Sequence, residues 1–310
     1  MDLIGMAFIA GLVLIYTMQS LLTRYYSASY PGREDLSSPV FTIISGLLVT
    51  VVTFAFAEFR FVASPITLIL GVCNALAVVL YNTSLIRASA TGPYSITMVF
   101  LIAGGIIIPA IVSAFFGDDL NVVKILSILA VLGSVYLIAR KEGEFYQNKK
   151  TFFLSCIGLA IGNGLYGTFL DVQQRLTLPE GMEISPEKEE MVIVTYFIGV
   201  LISVAMLLIR EKKDSLAAMK QTKKSLAFLL GASVVVACAI NFFVYILALV
   251  DTTILYTLDN SLVFLLSVGF SCLFMGEKLS KMNVIGCFTM CAALVCMSLS
   301  GEIMAFFTSL

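Results

Sequence analysis

Ten long apolar runs, separated by shorter polar breaks, follow one another along the chain. Each has roughly the 17–25 residues an α-helix needs to cross the hydrocarbon core of a bilayer. The pattern predicts helices at about 3–23, 39–58, 65–87, 93–115, 122–139, 151–173, 191–209, 225–249, 252–275 and 281–300. Pro65 and Pro93 stand where helices 3 and 4 open, a position that suits proline because the first N–H of a helix has no partner anyway. Strand-type alternation is absent, and backbone groups in lipid must bond within their own segment, so the fold class expected is all-α with ten transmembrane helices.

The polar breaks are short except at 24–38, 174–190 and 210–224. The first apolar run, Leu3 to Leu22, is too long for a signal-peptide core and has no basic segment before it, so it is expected to be a retained helix. Lys and Arg concentrate in the loops after odd-numbered helices, with Arg24, Arg33, Arg87, Arg140, Lys141, Lys149, Lys150, Lys278, Lys281 and the basic stretch 210–224. The positive-inside rule then places those loops in the cytoplasm and both termini outside a plasma (inner) membrane.

A phrase recurs about half a chain apart, FFGDDL at 115–120 and FMGEKL at 274–279. Other matches follow in order. Gly11-Leu12 falls on Gly158-Leu159, which sets Tyr16 and Gln19 on Asn163 and Tyr166. Thr42 and Gly46 fall on Thr195 and Gly199, and Tyr94–Thr97 on Tyr256–Asp259. The chain thus divides into repeats at 1–145 and 146–310. Two tandem units of five helices must enter the membrane from opposite sides, which makes them inverted repeats.

Composition fits this picture. The 310 residues are 59% hydrophobic and 13% charged, against about 25% charged in a soluble domain. The net charge of −1 gives nucleic acid nothing to hold. There is no His, no CxxC and no GxxxxGK[ST] string, so a zinc or haem site, an ATPase and a His-based hydrolase all lack their parts. No cofactor and no metal is expected, and the seven cysteines read as small packing residues inside apolar runs.

Helix pairs 3–4 and 8–9, each followed by a Gly-acid-x-Leu turn and another apolar helix, resemble the EamA type of the drug/metabolite transporter superfamily. In that family the fourth helix of each half ends in Gly-Glu-(Lys/Arg)-Leu. GEKL at 276–279 matches it residue for residue, whereas GDDL at 117–120 has Asp for Glu and departs at its third position. The resemblance implies ten helices, two inverted halves and a central cavity for small metabolites. The outward termini depart from the inward arrangement expected of many members.

Polar side chains in lipid-spanning helices are costly and face either a cavity or a neighbouring helix. The candidates for a substrate cavity are Tyr16 and Gln19, Tyr81 and Asn82, Tyr94 and Thr97, Asn163 and Tyr166, Asn241 and Tyr245, and Tyr256, Asp259 and Asn260. Asp259 is the most deeply placed acid by sequence and the candidate for proton coupling. Gly117, Asp118 and Leu120, with Gly276, Glu277 and Leu279, form the repeated turn, and Asn121 and Ser280 follow as N-caps. No Lys or Arg is read deep in a span, which favours a neutral, zwitterionic or cationic solute over a phosphate. The reading is a secondary active transporter working by alternating access; a channel or a receptor-like binding protein stays open beside it. Lipid and a small molecule are the partners expected; a monomer suffices and a homodimer is possible.

Overall fold

A computed structural model describes residues 3–117, 120–139, 148–182, 185–211, 219–246, 252–274, 276 and 279–309, with backbone only at 3–7, 244–245, 252–259 and 261. The described residues form eleven helices: α1 (Leu3–Ser29), α2 (Glu34–Phe56), α3 (Pro65–Thr91), α4 (Tyr94–Phe115), α5 (Val122–Ala139), α6 (Lys149–Thr177), α7 (Lys188–Arg210), α8 (Lys223–Ile246), α9 (Thr252–Phe274), α10 (Lys281–Ser298) and α11 (Ser300–Thr308). Eight of them, α1–α4, α6–α8 and α10, are long and apolar enough to cross a membrane, while α5 and α9 contain shorter apolar stretches. Many large apolar side chains on outward faces, among them Val51, Ile69, Leu273 and Phe288, are exposed. Lipid, not water, is the solvent such a surface suits.

Several helices outrun the expected bounds. α1 continues to Ser29 and α3 to Thr91, so Arg24 and Arg87 lie inside helices instead of ending them. Arg24 is accommodated by donating to the carbonyls of Ser89 (3.2 Å) and Gly92 (3.5 Å) and lying over the Tyr94 ring at 5.3 Å. Both lie within about a turn and a half of a helix end, so neither is deep in a span. α2 starts at Glu34, with Pro39 inside it. A proline has no N–H for the carbonyl four residues back. That carbonyl, Asp35 O, takes a guanidinium N–H from Arg210 of α7 at 2.5 Å instead. The short α11 was not expected.

The repeated phrase has a backbone cause. Gly117 follows α4 with φ +90° and Gly276 follows α9 with φ +67°, the left-handed conformation that glycine adopts without a Cβ penalty. Asn121 Oδ1 then accepts from Lys124 N (2.8 Å) to cap α5, and Ser280 caps α10 in a reciprocal box with Asn283. Asp118 and Glu277 lie outside the described residues.

The most intimate pair is α3 with α6, and α1 packs in the same way on α8. α2 lies on α7 at one flank and α5 on α10 at the other, while α4 and α9 meet near the middle. One apolar cluster joins α1, α2, α3, α7 and α8 around Tyr26, Phe41 and Val236. A second joins α4, α5, α6, α9 and α10 around Ile102, Phe152 and Phe264. Between the two clusters the central helices leave a cavity.

Candidate functional site

The cavity is walled by α1, α3, α4, α6, α7, α8 and α9. Its empty space, counted with its open mouth, is about 1020 Å³, the scale of a small-molecule site. α1 contributes Tyr16, Gln19 and Ser20, and α6 contributes Asn163, Tyr166 and Gly167 at the same i, i+3, i+4 spacing. α3 gives Val78 and Tyr81, α8 gives Ile240 and Phe243. α4 gives Met98 and Leu101, α9 gives Asn260 and Val263. The same spacings therefore recur in α1 and α6, in α3 and α8, and in α4 and α9. Gly105, Leu170 and Tyr196 complete the lining.

No lining side chain carries a formal charge. Recognition there falls to hydroxyls, amides and aromatic faces. The Tyr166 and Tyr196 side chains face each other across α6 and α7. Asn163 Nδ2 donates to Leu101 O at 2.9 Å, which fixes the amide against α4. Gly105 makes room for this arrangement: a Cβ there would stand 2.6 Å from Asn163 Nδ2 and 3.7 Å from Asn260 Oδ1. Pro109, one turn on, supplies no N–H to the Gly105 carbonyl, leaving that oxygen without its usual helical donor.

Of the residues expected at a cavity, Tyr16, Gln19, Tyr81, Asn163, Tyr166 and Asn260 are brought together there. Four others lie elsewhere. Asn82 is buried and donates to Thr42 Oγ1 (3.1 Å), tying α3 to α2. Tyr94 is buried behind the wall and donates to Ser20 Oγ at 2.5 Å, so it positions a lining residue. Thr97 bonds back to Pro93 O (3.1 Å), and Asn241 donates to Thr53 Oγ1 (3.2 Å) and Ala237 O (2.9 Å). In each case a partner on a packed helix or on the residue's own helix satisfies the polar group. The side chains of Tyr245, Tyr256 and Asp259 lie outside the described residues. Ser20 and Tyr196 were missed, although both are polar groups in apolar helices and the same rule would have found them. The glycines of α6 divide the work: Gly158 and Gly162 admit α3, Gly164 admits α4, and Gly167 faces open space.

The two ends of the molecule are tied by different chemistry. At one end Arg33 Nη1 meets Glu211 Oε1 at 2.5 Å, beside the Arg210–Asp35 contact. At the other, Glu187 Oε2 accepts from Ser64 N (2.9 Å), Ser64 Oγ (2.8 Å) and Thr67 Oγ1 (2.5 Å). Gln173 Nε2 donates to Thr67 Oγ1 at 3.1 Å, so α6 joins the cluster. Partial burial pushes the Glu187 carboxyl up, but the hydrogen bonds from Thr67 and Ser64 outweigh it and hold the group below its ordinary value. The stabilisation from this contact is therefore present above the ordinary carboxyl range and is lost as pH falls through the lowered value. Thermal unfolding followed between about pH 3 and 7 should show an acid-side loss that is smaller in Glu187→Gln than in the unmutated chain.

Residues 153–299 match the family described as the EamA-like transporter family. None of the curated proteins compared with the chain matches it. A protein of known crystal structure, 13% identical, superposes with a TM-score of 0.62 over 95% of this chain and 99% of its own, which shows a common fold. The second half of the chain is thus similar to the EamA-like transporter family, and it is carried on a fold shared along nearly the whole length with a protein of known structure.

Proposed function

We propose that the chain is a ten-span secondary carrier built of two inverted halves, 1–145 and 146–310, that moves a small neutral, zwitterionic or cationic solute by alternating access. The single observation that carries this is the cavity wall, whose side-chain spacings recur in helices of the two halves. Helix packing supports it. Exchanging each of α1–α5 with the helix five places on turns α3·α6 into α8·α1, α3·α7 into α8·α2 and α4·α6 into α9·α1, and all of these pairs occur. The end contacts exchange likewise. Arg33–Glu211 joins the α1–α2 loop to the end of α7, and Glu187–Ser64 joins the α6–α7 loop to the start of α3. Opening one while the other holds is the motion alternating access needs.

The uncharged wall favours solutes that hydrogen-bond and stack over phosphates. Asp259, set by sequence within α9, is the coupling candidate, since a carboxyl carried into a span binds a proton readily. The positive-inside count gives a plasma (inner) membrane with both termini outside, and one chain holds the whole cavity. Proteoliposomes preloaded with members of a panel of amino acids, amines and polyamines test the proposal. Accumulation of labelled solute against its unlabelled counterpart, without ion leak, is expected for at least one of them. Asp259→Asn should retain this exchange but lose the pH dependence of net uptake. Ion leak with no exchange across the panel would sink the carrier reading.

A further inference from the structure

α3 carries a polar stripe that the cavity does not account for. Thr67, Asn74 and Tyr81 are spaced seven apart, which keeps them on one face of the helix. Tyr81 lines the cavity, and Thr67 belongs to the Glu187 cluster at the end of the molecule. α6 repeats the arrangement with Tyr166 in the cavity and Gln173 bonded to Thr67. Asn74 lies between the two levels, fully buried, and neither its Nδ2 nor its Oδ1 has a hydrogen-bond partner among the described residues.

A third orphan lies in the same seam. On α7, Met191, Thr195 and Gly199 form one stripe. A Cβ on Gly71 would meet Val194 Cγ1 at 2.5 Å and Met191 O at 3.8 Å, and one on Gly199 would meet Val79 Cγ2 at 3.9 Å. Asn74 and Thr195 fall between these two contacts, and Thr195 Oγ1 is fully buried and unpartnered as well. Buried polar groups are bonded as a rule, and water is the usual partner when protein supplies none. One amide donor, one amide acceptor and a hydroxyl suit water. A hard cation needs about six oxygen ligands, and the seam offers two neutral ones.

The positions that correspond on α8 are apolar. The register that pairs Tyr81 with Phe243 sets Thr67 and Asn74 on Leu229 and Val236 of α8, and both are buried in an apolar cluster beside Tyr26. We propose that Asn74 and Thr195 hold buried water, and that the stripe from Tyr81 through Asn74 to Thr67 is the hydrated passage by which the cavity communicates with the Glu187 end. The hydration stands on geometry alone, whereas the role as a passage rests on the carrier reading.

Hydroxyl radicals generated by X-rays from bound water label side chains that bulk water does not reach. Met191, fully buried and one turn from Thr195, is the reporter. It should be oxidised in the unmutated protein and lose most of that label in Asn74→Val and in Thr195→Val, with the melting temperature unchanged or raised. An unlabelled Met191 in the unmutated chain, or a label that survives in both variants, overturns the water site. The amino acid or amine that gives counterflow should then exchange more slowly through Asn74→Val, with its half-saturating concentration unchanged and its rate restored in Asn74→Ser. Exchange at the unmutated rate, or a parallel fall in rate and melting temperature, overturns the passage. Absence of counterflow from the unmutated chain would sink the carrier reading while leaving the Met191 result intact.

Discussion

Gly104→Ala is expected to unfold or severely destabilise the protein. A Cβ at this position would enter the backbone of Ala160 on α6, meeting its carbonyl oxygen, its carbonyl carbon and its Cα. None of those atoms can rotate away, so the only relief is to move α4 off α6. Gly164 shows the same approach from the other side, since a Cβ there would lie 2.5 Å from Gly104 O. Helices in lipid gain little from apolar burial against one another, and backbone approach at small residues is a main source of their association. Overpacking at such a contact costs about 3 kcal/mol and is enough to abolish most of a marginal stability. The melting temperature in detergent reads the effect. Gly133→Ala on α5 is the control, because nothing lies within 4 Å of its new methyl. Equal melting temperatures for the two variants would disprove the close contact.

Gly105→Ala, one residue along, should spare the fold and cost function. Its Cβ would crowd Asn163 Nδ2, the far end of a side chain, which can swing aside. The swing breaks the Asn163–Leu101 bond and pushes the amide away from Asn260 across the cavity. Misplacing one or two hydrogen-bonding groups of a site is worth about 1–3 kcal/mol, hence roughly a tenfold or larger fall in solute affinity. The added methyl also favours the helix, so the melting temperature should hold or rise slightly. Counterflow measured over a range of solute concentrations would show the raised half-saturation. Unaltered half-saturation would remove the Asn163–Asn260 wall from the solute site.

Two adjacent glycines with opposite fates show where the amino-acid order is informative and where it is not. The pair stands out in α4, but nothing in the sequence says that Ala160 backbone lies under one and an asparagine amide beside the other. Helix existence was legible because apolar run length governs it. Helix ends were less so, because α1 continues past a charge that contacts with Ser89, Gly92 and Tyr94 make tolerable. Tyr16, Gln19, Asn163 and Tyr166 stood out as polar residues in apolar runs, and all four side chains meet at the cavity. Asn82, Tyr94, Thr97 and Asn241 obey the same rule that polar groups in lipid need partners. Asn82, Tyr94 and Asn241 find theirs on neighbouring helices and Thr97 on its own helix start, a choice fixed by rotation about each helix axis that one sequence does not encode visibly.

The contrast between the polar seam of α3 and the apolar seam of α8 bears on the resting position of the proposed carrier when empty. Exchanging the two halves would interconvert the two end states of the proposed cycle, and identical halves would make those states equal in free energy. Here the exchange sets Thr67, Asn74 and Tyr81 against Leu229, Val236 and Phe243, so the two states wet and bury different groups. Without solute the population is then skewed to one side. A solute arriving from the other side meets only the minority form, and its apparent affinity is weakened by that fraction. The carrier would therefore show unequal half-saturation from its two faces even for a solute that fits the cavity identically in both.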